Sequence, residues 1–302
     1  MPLPDRLAAV DWGTSSLRVW LMDGDGQVLD QRRSGQGMIR CKDAAAFQAT
    51  LDQHLQSMRC GHDVPVIACG MVGARQGWIE APYMDAGEPL ERLALHAVRA
   101  PHPDRLVLIL PGVAQGDPLA PDVMRGEETL ILGMLDGTAA LIGQPGTHSK
   151  WVEIDGEAIL RFATHMTGEL FALLSCHSTL ASLLQADAAI DPEGSAFATG
   201  VDRALADPAI LPRLFALRAG GLLGMTDPDA AAASLSGLLI GAEIACLPKE
   251  GRKVRLLAAG PAAALYAAAL TRARIDFEIE DAELLTRRGL LRAARQCNWT
   301  QK

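Results

Sequence analysis

The 302-residue chain has no apolar run near the roughly 18 residues that a membrane-spanning helix needs. Its N-terminus, MPLPDRLAAVDWG, carries Asp5 and Asp11 and lacks the apolar core of a signal peptide. A cytoplasmic protein without membrane contact is expected. The six Cys, at 41, 60, 69, 176, 246 and 297, form no CxxC or other zinc spacing, and several lie in apolar segments such as VIACG and GAEIACL. Reduced, mostly buried thiols are expected. Basic charge is also short: the formal net charge is −8, which argues against a nucleic-acid-binding surface. The exception, RRGLLRAARQ, reads as the basic face of a last helix. Four chemical motifs are missing: GxxxxGK[ST], GxGxxG after the first strand, HExxH and GxSxG. Their absence excludes a P-loop, a simple dinucleotide fold, a zincin site and a hydrolase elbow.

What is present is a repeated pattern. The chain is long enough for two cores of about 150 residues each. LAAVDW, LRVWLM and QVLDQR read as three strands over residues 6 to 33, with a hairpin signal at Asp23-Gly24-Asp25-Gly26. Residues 43 to 59 have helical spacing through Ala46, Phe47, Leu51 and Leu55. VPVIACG (64 to 70) and RLVLILPG (105 to 112) read as buried strands, and MRGEETLILGMLDG (124 to 137) as a helix stopped by Gly137. After the strand TAALIG the pattern restarts, with a second Gly-Thr-Ser turn and a second hairpin at Asp155-Gly156. Long Ala/Leu-rich helices follow from about 167 to 247, then strand KVRLLAAG, helix PAAALYAAALTRA with Pro261 at its start, strand RIDFEIED and helix AELLTRRGLLRAAR. Two similar α/β domains are expected, 1–140 and 141–302, with the final helix able to cross back to the first.

Five segments carry chemistry. Asp11-Trp12-Gly13-Thr14-Ser15-Ser16-Leu17-Arg18 ends the first strand. Gly13 allows a tight turn beside a ligand, and Thr14, Ser15 and Ser16 offer hydroxyls and N–H groups to an anion. Asp11 is placed to hold Mg²⁺ directly or through water, and Arg18 joins the substrate candidates. Gly146-Thr147-His148-Ser149-Lys150-Trp151 repeats this chemistry about 130 residues later; two such turns facing one another would grip a polyphosphate. Lys150 touches a phosphate or is a solvated strand charge, and His148 makes a structural hydrogen bond or takes part in catalysis. Arg125-Gly126-Glu127-Glu128 offers a general base or a second carboxylate near Mg²⁺, with helix capping as the plain alternative. Adjacent helical residues diverge by about 100°, so one of Glu127 and Glu128 would face a ligand; Asp122 is a third candidate. Gly70-Met71-Val72-Gly73-Ala74-Arg75-Gln76-Gly77-Trp78 follows a strand, where α/β ligands bind. Gly70, Met71, Gly73, Arg75 and Trp78 are the substrate candidates, with Arg75 on a carboxylate. Gly260, before Pro261, would let adenine or ribose approach.

The two Gly-Thr turns, the strand-helix order between them and the Gly260 loop resemble the actin/hexokinase-like (ribonuclease H-like) ATPase superfamily. More narrowly, DWGTSSLRVWL, GMVGARQGWIEAPY, VMRGEET, PGTHSKWV, MTGEL, FATGVDRAL and SGLLIGAEIA resemble the 2-dehydro-3-deoxygalactonokinases along nearly the whole chain. The resemblance implies two actin/hexokinase-like domains with an ATP cleft between them. It implies transfer of a phosphoryl group from ATP, with Mg²⁺, to 2-dehydro-3-deoxy-D-galactonate in galactonate catabolism. It places Asp11, Gly13, Thr14 and Ser15 in the first phosphate turn and Gly146, Thr147 and Ser149 in the second. Thr167 and Gly168 would open a helix facing phosphate. The chain departs from many sugar kinases in carrying Ser16 for Asn and Ala259-Gly260 for a glycine pair. A kinase for another small sugar, or a nucleotide-dependent regulatory protein of the same fold, is the alternative, and a homodimer stays open.

Overall fold

The computed structural model of the chain describes residues 3–184, 189–248 and 253–299. The chain divides into two compact units. Unit 1 takes its described residues from Met1–Ala139, Ile154–Arg161 and Ala282–Lys302; unit 2 takes them from Ala140–Glu153 and Phe162–Asp281.

Unit 1 opens with β1 (Arg6–Trp12), β2 (Leu17–Asp23) and β3 (Val28–Ser34). Leu7, Ala8, Ala9 and Val10 are fully buried, as a strand covered on both faces requires. β1 and β2 pair antiparallel, with Asp11 opposite Arg18. Helix α1 (Ala44–Ser57) starts at Asp43, whose carboxylate accepts from Ala46 N–H at 2.9 Å, and buries Phe47, Leu51 and Leu55. β4 (Val66–Cys69) adds parallel to β1, placing Asp11 beside Cys69. β5 (Tyr83–Asp85) and β6 (Val98–Arg99) follow, and β7 (Val107–Ile109) runs parallel to β4. β8 (Gly112–Gln115), β9 (Asp122–Met124) and α2 (Glu127–Met134) end this stretch. The main sheet has the order β3-β2-β1-β4-β7-β6; β5, β8 and β9 form a separate small sheet. That small sheet is absent from the sequence reading. It also corrects the expected helix 124–137: Met124 ends a strand, and the helix begins only after Gly126, which sits at φ +111°.

Unit 2 is built on β10 (Ala140–Gln144) and the hairpin of β11 (Ser149–Asp155) and β12 (Ala158–His165), whose tip, Ile154–Arg161, counts with unit 1, followed by α3 (Thr167–His177), α4 (Ser195–Ala206), α5 (Leu211–Leu222) and α6 (Pro228–Ala245). β13 (Val254–Leu257), α7 (Gly260–Arg272) and β14 (Phe277–Glu280) complete it. Its sheet order is β12-β11-β10-β13-β14, with β10, β13 and β14 parallel. The first five positions of the unit 1 sheet follow the same pattern, three hairpin-linked strands and then two parallel ones. α4 and α6 pack closely because Gly200 and Gly237 face the opposing backbone: a Cβ on Gly237 would lie 2.2 Å from Phe197 O.

The last helix, α8 (Ala282–Ala294), falls in unit 1, the crossing back that the sequence left open for it. The reason is a glycine-to-glycine crossing. A Cβ on Gly133 of α2 would lie 1.9 Å from Leu285 O, and one on Gly289 of α8 would lie 1.8 Å from Thr129 O, so only glycine permits this approach. Arg292 then reaches Glu91 and donates to Leu135 O at 2.8 Å, joining the open carbonyls of α2's last turn. Among the described residues no helix is long and apolar enough to cross a membrane. Cys41, Cys60, Cys69 and Cys297 are buried, Cys176 and Cys246 are exposed, and all six are free thiols.

Candidate active site

In unit 1 the ends of β1 and β4 meet the start of α2. Asp11 lies 3.4 Å from the Arg18 guanidinium on β2. Burial pushes its carboxyl up from the usual value, Arg18 pulls it down, and the charges of Glu127 and Glu283 push it up again. Gly70, at φ +90°, follows β4; a Cβ there would come 2.9 Å from Trp12 O and 3.5 Å from the Asp11 carboxylate. A Cβ on Gly126 would in turn lie 3.2 Å from the Gly70 Cα. Two left-handed glycines thus let Asp11, Gly70 and Glu127 share one place. After Asp11 the turn Gly13–Ser16 closes through Gly13 N–H to Ser16 O at 2.9 Å. Its carbonyls at Gly13 and Thr14 accept from Met38 and Ile39 N–H at 2.9 and 3.1 Å. Thr14, Ser15 and Ser16 are exposed, and among the described residues no hydrogen bond engages their hydroxyls.

The three candidate carboxylates separate clearly. Glu128 is fully buried; its oxygens accept from Gly126 N–H at 2.7 Å and Thr129 hydroxyl at 3.0 Å. Burial first, then the Glu127 charge, push it up to about 8. Glu128 thus closes over the start of α2 through these two bonds. Glu127 is half-buried and accepts from Arg125 N–H at 3.0 Å. Asp122 begins β9 and accepts from Val123 N–H at 2.7 Å. Arg125 clamps the loop after β4: its Nη2 donates to Ala81 O at 2.9 Å and the guanidinium lies 4.3 Å over the Tyr83 ring. Within that loop, Trp78 belongs to the core, 6.1 Å from Phe47 in a stacked pair and 6.3 Å from Trp12. Gly73 is also a packing residue, since a Cβ there would meet Ile109 at 2.9 Å. Both positions pack inside unit 1. Met71 is half-buried, and Arg75 is exposed.

In unit 2 the turn after β10 leaves Gly146, Thr147 and His148 exposed. His148 is in hydrogen-bond contact with Glu169 at 2.5 Å, the structural bond considered for it. Lys150 is buried, its Nζ donating to Thr164 at 3.2 Å, which overturns the solvated-charge alternative. Ser149 and Thr167 turn inward. Ser149 bonds the Tyr266 hydroxyl at 2.7 Å; Tyr266 donates to Glu243 at 2.8 Å, and Thr167 donates to the same carboxylate. α3 begins with no side-chain bond from its N-cap residue, Met166, and in its first turn Glu169 N–H donates to Thr147 O at 3.0 Å. A Cβ on Gly168 would lie 2.6 Å from Gly146 O. A cavity of about 200 Å³ opens beside this turn, lined by Gly146, Gly168, Ile240, Leu265 and Tyr266 among others, mostly apolar. Gly260 lies two residues before Ala262 of its wall, exposed at φ +63°, with no atom within 4 Å of the space a Cβ would take. Glu243 and Tyr266 are the residues that sequence reasoning missed. The signal was there: SGLLIGAEIA holds one acid in an apolar helix, and a buried charge needs partners.

Among the described residues no three His, Cys, Asp or Glu groups gather to hold a metal. Mg²⁺ takes one or two protein carboxylates and fills its shell with phosphate oxygens and water, a set that needs no such cluster.

The chain is 42% identical over 295 residues to a protein of Rhizobium meliloti (strain 1021) named as a probable 2-dehydro-3-deoxygalactonokinase, covering 95% of this chain and 96% of that one. It is 37% identical over 252 residues to the 2-dehydro-3-deoxygalactonokinase of Escherichia coli (strain K12), covering 80% of each. A crystal structure from Sinorhizobium meliloti, of a protein assigned as a 2-dehydro-3-deoxygalactonokinase, superposes with a TM-score of 0.91 at 41% identity, over 96% of this chain and 98% of that one. The fold of the two units is the actin/hexokinase-like α/β fold. The family model for 2-keto-3-deoxy-galactonokinase matches residues 11–293, from Asp11 at the first turn to the end of α8, and the chain belongs to that family.

Proposed function

We propose that the protein transfers the γ-phosphoryl group of ATP to the 6-hydroxyl of 2-dehydro-3-deoxy-D-galactonate, giving the 6-phosphate and ADP. The observation that carries this reading is the match to kinases of that acid from Asp11 to residue 293, a span containing both turns. Each unit brings a Gly-Thr turn with exposed backbone, and an apolar cavity of a size for a nucleobase borders the second. In this reading phosphate meets the N–H and hydroxyl groups of Thr14, Ser15 and Ser16, in the turn that Gly13 N–H closes on Ser16 O, and, in unit 2, the N–H groups of Gly146, Thr147 and Gly168 with the Thr147 hydroxyl. Adenosine enters the cavity past Gly260. Mg²⁺, when bound beside Asp11, neutralises charge on the phosphates.

The acceptor acid takes the loop from Gly70 to Trp78, with its carboxylate on Arg75 and with Arg18 nearby. Glu127 accepts the hydroxyl proton, because it is the half-buried carboxylate beside Asp11. The reaction balances as one O–P bond formed and one broken, with the proton passing to the carboxylate. A cytoplasmic enzyme of galactonate catabolism follows from this chemistry.

The test is acceptor-dependent ADP release with Mg·ATP, comparing 2-dehydro-3-deoxygalactonate, its gluconate epimer and a panel of hexoses. Turnover confined to the galactonate acid supports the reading. Turnover on a different acceptor keeps the transfer chemistry and discards the substrate. ATP binding without any turnover removes the kinase reading.

A further inference from the structure

Glu243 sits in α6, 3% exposed, beside Leu238, Leu239, Ile240 and Ile244. Taking a carboxylate out of water is costly unless donors replace it. Three do. Trp151 Nε1–H donates to one oxygen at 2.7 Å; the hydroxyls of Tyr266, at 2.8 Å, and Thr167 donate to the other. An indole can only donate. Tyr266 has one proton, and it goes to Glu243, so its oxygen takes the proton of Ser149 at 2.7 Å. Burial and the Glu243 charge push the Tyr266 phenol up, so it keeps that proton. One carboxylate therefore sets the direction of every bond in the network.

The four donors come from the elements around the second turn. Ser149 and Trp151 begin β11 directly after Thr147 and His148, Thr167 is the first residue of α3, and Tyr266 belongs to the cavity wall on α7. Gly168 leaves no room for a Cβ against Gly146 O, so the start of α3 runs close to the turn. Glu169 N–H donates to Thr147 O at 3.0 Å. A shift of Thr167 or Ser149 would thus move the turn and the start of α3 together.

We propose that Glu243 is a positioning residue for the nucleotide: by drawing Ser149 and Thr167 inward it fixes the backbone N–H groups of the turn and of α3, and these two hydroxyls act through Glu243 without touching phosphate. The proposal rests on the reading that the second turn binds nucleotide phosphate. It reassigns Ser149 and Thr167 and gives the cavity wall a part in phosphate binding.

The experiment is calorimetric binding of Mg·ADP to the full chain and to E243Q, T167V, T167S and the double variant E243Q/T167V, with the sugar acid titrated in parallel. The E243Q change keeps the side chain's shape but turns an NH₂ toward one set of donors. E243Q and T167V each weaken ADP about tenfold or more, the scale of losing a hydrogen bond to a charged group. T167S, which keeps the hydroxyl, binds like wild type. The double variant is no weaker than the worse single, since both remove one interaction. Sugar-acid affinity stays within about twofold, the scatter expected for a site without shared contacts. E243Q binding ADP like wild type overturns the positioning role alone. Losses that multiply in the double variant overturn it too, because Thr167 then meets the nucleotide independently. Wild type that binds no ADP overturns the nucleotide reading itself. If circular dichroism shows E243Q unfolded, the T167V and T167S pair decides: equal affinities refute the proposal.

Discussion

Both units open with a Gly-Thr turn after their first strand, yet they hold it by opposite means. In unit 1 the backbone does the holding: Met38 and Ile39 N–H groups bond the carbonyls of Gly13 and Thr14, and Gly37 lies so close that a Cβ would fall 2.4 Å from Ser15 C. The three hydroxyls of that turn stay outward. In unit 2 side chains do it, with Ser149 drawn inward through Tyr266 to Glu243. The same short sequence thus offers three hydroxyls in one place and only Thr147 in the other. A motif gives the turn; its surroundings decide which of its groups remain free for a ligand.

The hardest test of this comparison is to remove the anchor or fill the opening of each turn. Asp11→Asn should lower kcat by about a hundredfold to a thousandfold, the scale of losing one charge-stabilising group at a reacting centre, while thermal melting holds or improves because the buried carboxyl is disfavoured when charged. Gly146→Val should cost a similar factor without unfolding, since a Cβ there makes only ordinary contact, with His148 O nearest at 3.7 Å. Near-wild-type turnover in either variant removes that turn from the phosphate site.

Gly37→Ala comes next. The clash is with backbone, so the first turn must shift, and overpacking of this kind costs about 1–3 kcal/mol. We expect a lower melting temperature together with a higher KM for ATP. A lower melting temperature with unchanged KM would show that the turn tolerates displacement, and would weaken the contrast between the units.

Glu128 supplies a pH test confined to unit 1. Its carboxyl titrates near 4.5 when unfolded and near 8 when folded. Below about pH 4.5 it is protonated in both states and costs nothing. As pH rises toward about 8 the unfolded chain gives up the proton first, so stability falls through that window and levels off above it. Urea midpoints measured at a series of pH values across that window should therefore decline in wild type and flatten in Glu128→Gln, which carries no titrating proton. An unchanged slope in the variant would place the pH dependence elsewhere.

The fold was legible where apolar periodicity and turn residues agree. LAAVDW, LRVWLM and the DG turn correspond to β1, β2 and the hairpin, and KVRLLAAG followed by Pro261 corresponds to β13 and α7. The small sheet of β5, β8 and β9 was not legible, because three- and four-residue strands carry too few residues for a period. The return of α8 to unit 1 was open in the sequence, which left the last helix able to cross back; its cause was not legible, because Gly133 and Gly289 meet across a helix crossing from positions far apart in the chain. At the site, spacing singled out Asp11 and the Glu127-Glu128 pair but not which glutamate stays buried. That choice depends on Gly126 N–H and Thr129 closing over Glu128. Trp78 shows the same limit: an aromatic in a glycine-rich loop reads as a ligand contact, and its packing on Phe47 of α1 is set by a partner 31 residues away that spacing does not reveal.

The smallest expected effect is at Arg75, the candidate for the acid's carboxylate. It is exposed, and an exposed side chain away from packing changes stability by less than about 0.5 kcal/mol when truncated. Arg125 is its counterpart on the same loop, tied to Ala81 O and stacked on Tyr83. Truncating Arg125 should loosen the loop and lower both melting temperature and kcat. Arg75→Ala should leave melting and kcat alone and raise KM for the sugar acid about threefold to tenfold, as loss of one solvent-screened charge pair would. An unchanged KM would strip Arg75 of the carboxylate. The next variant would then be Arg18→Ala, beside Asp11, where a guanidinium already lies among acidic groups and has a reason to be held in place.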